Sequence, residues 1–290
     1  MKVFMKVGKK QEEKSVNPTN KYLISRGWFG FADRMNALCH CIRLARLRNR
    51  ILNVYWSDRM IGESFQDLFN IINLPYTDVV PDLDTYPQIF RPLRNIPNEL
   101  WIYELKDYEL SEANASILVH SGRGKRTFNV KDLVTHLRFT EKTIEEVREV
   151  LTKYTELGVT RDTKVVHLRG TDRSWKLEDV HTLAKQHGKV AIVSDDKLAV
   201  EAYLSKEPTS IVLTNGTDDL KPLHKDNPSR AKTIKMLADF CLLHTHGVDT
   251  LNKESLFWKL SQRIDPLLWM RISPEPTTYD GFFMRSTHAT

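Results

Sequence analysis

The sequence has little of what marks secreted or membrane proteins. It contains three cysteines, Cys39, Cys41 and Cys241, and this small, odd number argues against a framework of disulfide bonds. No stretch approaches the ~18 consecutive apolar residues of a membrane-spanning helix. The first residues, MKVFMKVGKKQEEK, lack the apolar segment of a secretory signal. We therefore expect a cytoplasmic protein without a membrane span.

The composition is that of a soluble globular protein. Hydrophobic residues make up 41% of the chain and charged residues 28%, which provides enough apolar side chains for a sizeable core. A length of 290 residues favours two domains or one large α/β unit. The formal net charge of +6 favours an anionic partner, a class that includes nucleotides, nucleic acids and membrane surfaces.

Predicted strands and helices alternate along the first half. Residues 31–50 favour a helix, because apolar residues recur along one face at helical spacing. These residues are Met35, Leu38, Ile42 and Ala45. Four other segments predict strands and one predicts a second helix. The strands are residues 21–28, 51–56, 99–105 and 115–122, the helix is residues 64–72, and the proline-rich residues 75–97 predict a loop.

A second series of alternating elements follows. Thr140 is the predicted N-cap of a helix that ends at Gly158. Four apolar segments after this helix predict the short strands of parallel βαβ units. They are TKVVHLRG, KVAIVSDD, TSIVLTNG and ADFCLLHTH, which start at residues 163, 189, 209 and 238. The sequence therefore predicts an α/β fold of two tandem halves with parallel sheets, residues 1–157 and 158–290, and a cleft between them.

Polar side chains follow the predicted strands of the second half. In open parallel sheets, ligands bind beyond the carboxyl ends of the strands. Arg169 follows the first strand, and its guanidinium offers a planar fork of donors that fits phosphate oxygens. Asp195 and Asp196 follow the next strand and are candidates to accept hydrogen bonds from ribose hydroxyls. A helix predicted to begin near Asn252 would point free N–H groups at the same edge.

Each of these residues also has a purely structural interpretation. Arg169 and Asp172 would form an ion pair, and Ser194 and Asp195 would cap a helix that begins at Lys197. Residue chemistry alone leaves both interpretations open.

Several segments together resemble the fucosyltransferase superfamily. They are HLRGTD at 167–172, IVSDD at 192–196, ADF at 238–240 with ESLF at 254–257, and GFADRMNAL at 30–38. The superfamily includes α1,2- and α1,6-fucosyltransferases, nodulation-factor fucosyltransferases and protein O-fucosyltransferases. The resemblance implies the GT-B fold of two Rossmann-like domains, GDP-fucose as the donor substrate, and no cofactor or metal ion.

The resemblance also assigns site residues. Arg169 matches the arginine that binds the donor's β-phosphate, His167 precedes it by two places, and Asp172 closes the motif. Ser194 and Asp195 match the motif that lines the nucleoside pocket, and Ser255 matches a serine near the diphosphate. Four further candidates for donor binding lie in the same motifs: Gly30, Arg34, Asp196 and Asp239.

The sequence departs from the superfamily pattern at two places. Gly170 stands where many members have a second arginine, and Ala32-Asp33 stands where the pattern has Gly-Asn. The reaction that the resemblance implies is glycosyl transfer with inversion, from a nucleotide sugar to a glycan or small-molecule acceptor. A carboxylate would deprotonate the acceptor hydroxyl, and the candidates for this base are Asp33, Asp58 and Asp172. Asp33 has the alternative role of a charge that favours the N-terminus of a helix.

Two other functions fit the sequence. The basic segment HSGRGKR at 120–126 and the net charge are compatible with a DNA acceptor, such as a hydroxymethylated base. A mobility-shift assay in which the protein binds duplex DNA, and binds it less tightly as salt is raised, would favour that acceptor, since phosphate contacts weaken steeply with salt. The second alternative is a non-catalytic module that binds a nucleotide or glycan. Transfer from any sugar nucleotide would exclude it.

Glycosyl transfer by this protein is expected to persist in EDTA, because no convincing set of metal ligands occurs in the sequence. His244 and His246 stand two apart on a predicted strand, and a metal ion shared between them is not expected. Asp82 and Asp84 form an Asp-x-Asp pair in the proline-rich segment, where a turn is the favoured interpretation. Loss of turnover in EDTA, with recovery on addition of Mn²⁺, would show instead that this pair holds a metal.

Overall fold

The computed structural model describes residues 22–27, 30–47, 49–56, 61–77, 117–120, 130–169, 175–213 and 229–270. Several predictions from the sequence lie outside these ranges. They concern Asp58, Asp172, Gly170, the Asp82–Asp84 pair, the strand at 99–105, most of the loop at 75–97, and all of HSGRGKR except His120.

The first half contains two small sheets. Its elements are β1 (Tyr22–Gly27), α1 (Phe31–Leu47), β2 (Ile51–Trp56), α2 (Phe65–Leu68), β3 (Phe69–Ile71), β4 (Ile117–His120), α3 (Val130–His136), β5 (Leu137–Phe139) and α4 (Glu141–Glu156). β1 lies between β2 and β4 in a parallel sheet, while β3 and β5 form an antiparallel pair. The predictions of β1, α1, β2 and β4 are confirmed, and the four residues of the predicted apolar face of α1 are all buried.

The helix predicted at 64–72 is wrong after its first turn. Ser64 caps α2 by accepting from the amide of Asp67, but the chain turns to extended backbone at Phe69. The apolar residues of this segment fit helical spacing, and pairing with β5 overrides that preference. Local pattern could not reveal this pairing, because β5 lies far along the chain.

The second half has one parallel sheet of four strands. Its elements are β6 (Val165–Leu168), α5 (Leu177–His187), β7 (Ala191–Ser194), α6 (Lys197–Leu204), β8 (Ile211–Val212), α7 (Arg230–His246), β9 (Gly247–Thr250) and α8 (Leu256–Ser261). The strand order is β8-β7-β6-β9. Thr140 caps α4 as predicted, by accepting from the amide of Thr143, and Gly158 follows the helix with φ of 98°. The predicted α/β fold with parallel sheets is thus confirmed.

The fourth predicted strand of the second half, ADFCLLHTH, is wrong. These residues form the last two turns of α7, and the strand is the next segment, GVDT. Residues from Leu237 to Leu243 are all buried, so apolar side chains surround the helix and hide its period. His244 and His246 therefore lie on a helix, and the described residues contain no group of three side chains placed to hold a metal ion.

No residue separates α7 from β9. Gly247 begins the strand directly after the helix, and a Cβ atom at this position would lie 2.3 Å from the carbonyl oxygen of Leu243 and 2.9 Å from the Trp258 ring. Glycine is required here for space. None of the helices described is long and apolar enough to cross a membrane.

One apolar cluster contains residues of both halves, and a second lies within the second half. The ring of Phe31, in the first turn of α1, lies 5.5 Å from that of Phe240 in α7 and 6.2 Å from that of Phe257 in α8. Polar contacts join the halves as well. Arg230, the first residue of α7, contacts Glu63 of the first half at 3.0 Å and Glu146 of α4 at 2.6 Å. The division into domains at residues 157 and 158 stays a prediction.

Arg230→Met should lower the free energy of unfolding by about 1–3 kcal/mol, because two partly buried carboxylates then lose a shared, charge-assisted partner. Urea denaturation measures this change. The matched control is Lys197→Met, since Lys197 pairs with Glu201 on the exposed surface of α6, where an ion pair contributes at most about 1 kcal/mol. Equal stabilities of the two variants would show that the Arg230 contacts do not hold the halves together.

Candidate functional site

His167 and Arg169 lie at the carboxyl end of β6. The His167 side chain points into the protein and is buried. Its Nδ1 lies 3.2 Å from Oγ1 of Thr250 in the neighbouring strand β9, and its ring lies 5.8 Å from the ring of Phe257. The Thr250 hydroxyl also donates to the backbone carbonyl of His167 at 3.0 Å. These contacts fix the end of β6, from which the partly exposed Arg169 follows.

The His167 imidazole is uncharged at neutral pH. Its pKa is lowered from 6.5 to about 3, mainly by burial and in addition by the positive charges of Arg169 and Lys235. His167 therefore adds no positive charge to the site. It supports the end of β6 before Arg169 as a fixed, uncharged side chain. The positive potential at this strand end comes from Arg169 and Lys235.

Ser194 and Asp196 tie the ends of two strands to α6. The Ser194 hydroxyl donates to the carbonyl of Leu168 at 2.7 Å and accepts from the amide of Asp196 at 3.0 Å. Asp196 is the N-cap of α6, since its Oδ1 accepts from the amides of Leu198 and Ala199. The prediction that Ser194 and Asp195 cap this helix is therefore wrong by one residue.

The second oxygen of the Asp196 carboxylate, Oδ2, accepts from the indole Nε1 of Trp175 at 2.9 Å. Both oxygens of this buried side chain already accept hydrogen bonds within the chain. A role for Asp196 in donor binding stays a prediction, and the partly buried Asp195 lies at the same edge.

Asp239 lies in the middle of α7 and belongs to a buried polar chain. The hydroxyl of Tyr154 donates to its Oδ1 at 2.6 Å, and the ammonium of Lys235 donates to its Oδ2 at 2.6 Å. Burial and the Asp239 charge raise the pKa of Tyr154 well above its usual value, so this phenol stays protonated. Asp239 was expected at the start of a strand. Its donor-binding role stays a prediction.

Ser255 caps α8, accepting from the amide of Trp258 at 3.3 Å. The helix begins at Leu256 and not near Asn252 as predicted. Asn252 instead accepts from the amide of Glu254 at 3.0 Å, which forms a turn before the helix. Ser255 itself is buried, so the start of α8 is packed against the rest of the site.

Gly30, Asp33 and Arg34 lie at the start of α1. The Gly30 carbonyl accepts from the amides of Asp33 and Arg34 at 3.1 and 3.2 Å, and Asp33 stands in the first helical turn, where a negative charge is favourable. A Cβ on Gly30 would meet none of the described atoms within 4 Å. Packing within the described residues therefore does not explain this glycine.

Arg34 is completely buried. Its guanidinium lies 5.5 Å from the centre of the Trp56 ring, which favours a cation. Burial lowers the Arg34 pKa to about 10, so the side chain is still charged at neutral pH. Phe31, next to Asp33 and Arg34 on the same turns, contacts Phe257 of α8. The first-half candidates are thereby held close to those of the second half.

The structure adds Lys235, which sequence reasoning missed. It lies on α7, near enough to His167 to affect its pKa. The signals in the sequence were Ser229, which caps α7 by accepting from the amide of Lys232, and the i, i+4 spacing of Lys235 and Asp239. Both were obscured by the interpretation of this segment as a strand.

Comparison with solved structures identifies the fold. The chain is similar to NodZ α-1,6-fucosyltransferase soaked with GDP-fucose, with 15% sequence identity, a TM-score of 0.58, and coverage of 84% of this chain and 92% of the other. The NodZ fucosyltransferase from Bradyrhizobium in selenomethionine form gives 15% identity, a TM-score of 0.57, and coverage of 84% and 91%. A mutant of Arabidopsis thaliana FUT1 in complex with GDP gives 12% identity, a TM-score of 0.50, and coverage of 87% and 69%.

No protein-family model matches the sequence, and no curated protein matches it significantly. At this level of identity the similarity shows the fold alone. The fold is that of the fucosyltransferase-like GT-B proteins, as predicted.

The free energy of unfolding should fall as the pH is lowered from 6.5 to 5, in part because of His167. In this window the unfolded chain protonates the histidine, while the folded chain, with a pKa of about 3, does not. The contribution reaches about 2 kcal/mol at pH 5. His167→Gln should lose stability less steeply than the wild type over this range, as measured by urea denaturation at each pH. Identical slopes would mean that His167 is accessible to protons in the folded protein.

Proposed function

We propose that this protein is an inverting glycosyltransferase that transfers a sugar from a nucleoside-diphosphate sugar to a hydroxyl of a glycan or small molecule. GDP-fucose is the proposed donor. One observation carries the proposal: Arg169 follows the end of β6, at the carboxyl edge of a parallel sheet, in the fold of an enzyme that was soaked with GDP-fucose. In such sheets this edge is where nucleotides bind.

Arg169 would stabilise the leaving group. Departure of the nucleoside diphosphate builds negative charge on the β-phosphate oxygens, and a fixed guanidinium stabilises that charge more in the transition state than in the ground state. A guanidinium keeps its charge at all physiological pH values. The neutral His167 beneath it adds rigidity without titrating in the working range.

The other candidates divide between the two sides of the reaction. Residues 158–290 would hold the donor, with Ser194 and Asp195 beside the nucleoside and Ser255 near the diphosphate. Residues 1–157 would hold the acceptor. Of the three carboxylates proposed as the base, Asp33 lies among the described residues, on the turn of α1 that packs against α8 through Phe31. Asp58 and Asp172 remain proposals.

The proposal is tested with a panel of nucleotide sugars and the matched variants Arg169→Ala and Arg161→Ala. GDP-fucose should raise the wild-type melting temperature, because a ligand that binds the native state stabilises it. Arg169→Ala should reduce turnover by about 100-fold or more, with a melting temperature within a few degrees of the wild type. Arg161 is exposed in the turn before β6, at the opposite end of the strand, and its replacement should leave turnover unchanged.

Three outcomes would contradict parts of the proposal. Wild-type turnover by Arg169→Ala would show that this arginine does not hold the diphosphate. Stabilisation by a different nucleotide sugar would replace GDP-fucose as the donor. Binding of a nucleotide sugar without transfer to any hydroxyl acceptor or to water would indicate a binding module.

A further inference from the structure

Lys235 lies at the same edge of the sheet as Arg169. α7 connects β8 to β9, two strands of the same parallel sheet, so it runs antiparallel to the strands as a crossover helix does, and its N-terminal turns lie toward their carboxyl ends. Eleven residue steps separate Lys235 from the helix end at His246, a rise of about 17 Å, whereas a strand of four residues such as β6 spans about 13 Å. Lys235 is therefore beyond Leu168, at the level where Arg169 follows the strand.

The surroundings of Lys235 hold its ammonium in place and leave it able to bind a ligand. Its side chain is 15% exposed, and Asp239 accepts one hydrogen bond from it at 2.6 Å. Tyr154 donates to the other oxygen of the same carboxylate, which fixes the carboxylate and with it the lysine. Asp239 is the only hydrogen-bond partner of this ammonium among the described residues. An ammonium has three donors, so two remain.

The charge of a nucleoside diphosphate requires more than one cation. At neutral pH the diphosphate carries more than one negative charge, and among the described residues Arg169 is the one cation that directly follows β6. Lys235 supplies another from a different element. The lowered pKa of His167 supports the placement, since the positive charges of both residues act on that buried ring.

We propose that Lys235 is a second cation of the donor site and contacts the diphosphate beside Arg169. Tyr154 and Asp239 are then positioning residues, which hold the ammonium through a buried chain of hydrogen bonds. This inference rests on the proposed function, because it assumes a nucleoside-diphosphate donor. A competing role is purely structural, in which Lys235 only neutralises the buried Asp239.

The test compares GDP with guanosine, which has the same base and ribose but no phosphate. For Lys235→Met, the dissociation constant for GDP should rise about tenfold or more, while that for guanosine should change less than about twofold. Titration calorimetry measures GDP binding, and NMR shift titration measures the weaker guanosine binding. Lys235→Arg should retain most of the GDP affinity. The control is Lys185→Met, which removes an exposed charge from the last turn of α5, away from this edge.

A double variant protects the test against a folding defect. Lys235→Met leaves the buried Asp239 charge without its cation, and this can destabilise the fold. If the single variant does not fold, Lys235→Met/Asp239→Asn is compared with Asp239→Asn, since both lack the buried charge. The same selective loss of GDP affinity is expected between these two proteins.

The possible results separate the two proposals. A wild-type protein that binds neither GDP nor GDP-fucose would refute the proposed function, and this inference with it. A wild-type protein that binds GDP, combined with a Lys235→Met variant that loses GDP and guanosine affinity equally or loses neither, would overturn the role of Lys235 alone.

Discussion

The packing of Phe31 against α7 and α8 is the contact on which the arrangement of the site depends. Its ring meets Phe240 and Phe257, and Phe257 in turn lies against His167. These contacts bring together four elements: the first turn of α1, α7, the start of α8 and, through His167, the end of β6. Close-packed interiors allow little relative movement. The packing of the apolar side chains therefore fixes the positions of the polar residues on the same segments.

The electrostatics of the site follow from that packing. Arg34 is buried beside Trp56, and Lys235 is largely buried beside Asp239, so both cations are shielded from bulk water. Charges in such surroundings act more strongly on an anion than charges at an open surface. His167 shows the effect from the other side, since burial and the positive charges of Arg169 and Lys235 keep it neutral. The surroundings that hold these cations therefore also keep the imidazole uncharged.

Elements with a simple apolar pattern could be predicted from the sequence. β1, β2, β6 and β7 are short, largely apolar segments, and the helical period of α1 is clear. α7 could not be assigned, because it is buried on most sides and its apolar run has no visible period. The error placed Asp239 at the start of a strand instead of within a helix, and it concealed Lys235. The role of Asp196 could not be predicted from the sequence either, because its position fits both a ligand contact and a helix cap. Its hydrogen bonds from Leu198 and Ala199 reveal the cap, and its second oxygen accepts from Trp175.

The junction at Gly247 limits how this half of the protein can vary in length. Helix passes into strand with no intervening loop, and the space beside Gly247 is filled by the Leu243 carbonyl and Trp258. An inserted residue here would turn every side chain of β9 to the opposite face of the sheet, so that Thr250 would no longer support His167. Related chains can gain or lose residues in surface connections, where such changes are tolerated. The number of residues between α7 and β9 is therefore fixed, because a longer connection would disrupt the strand that follows it.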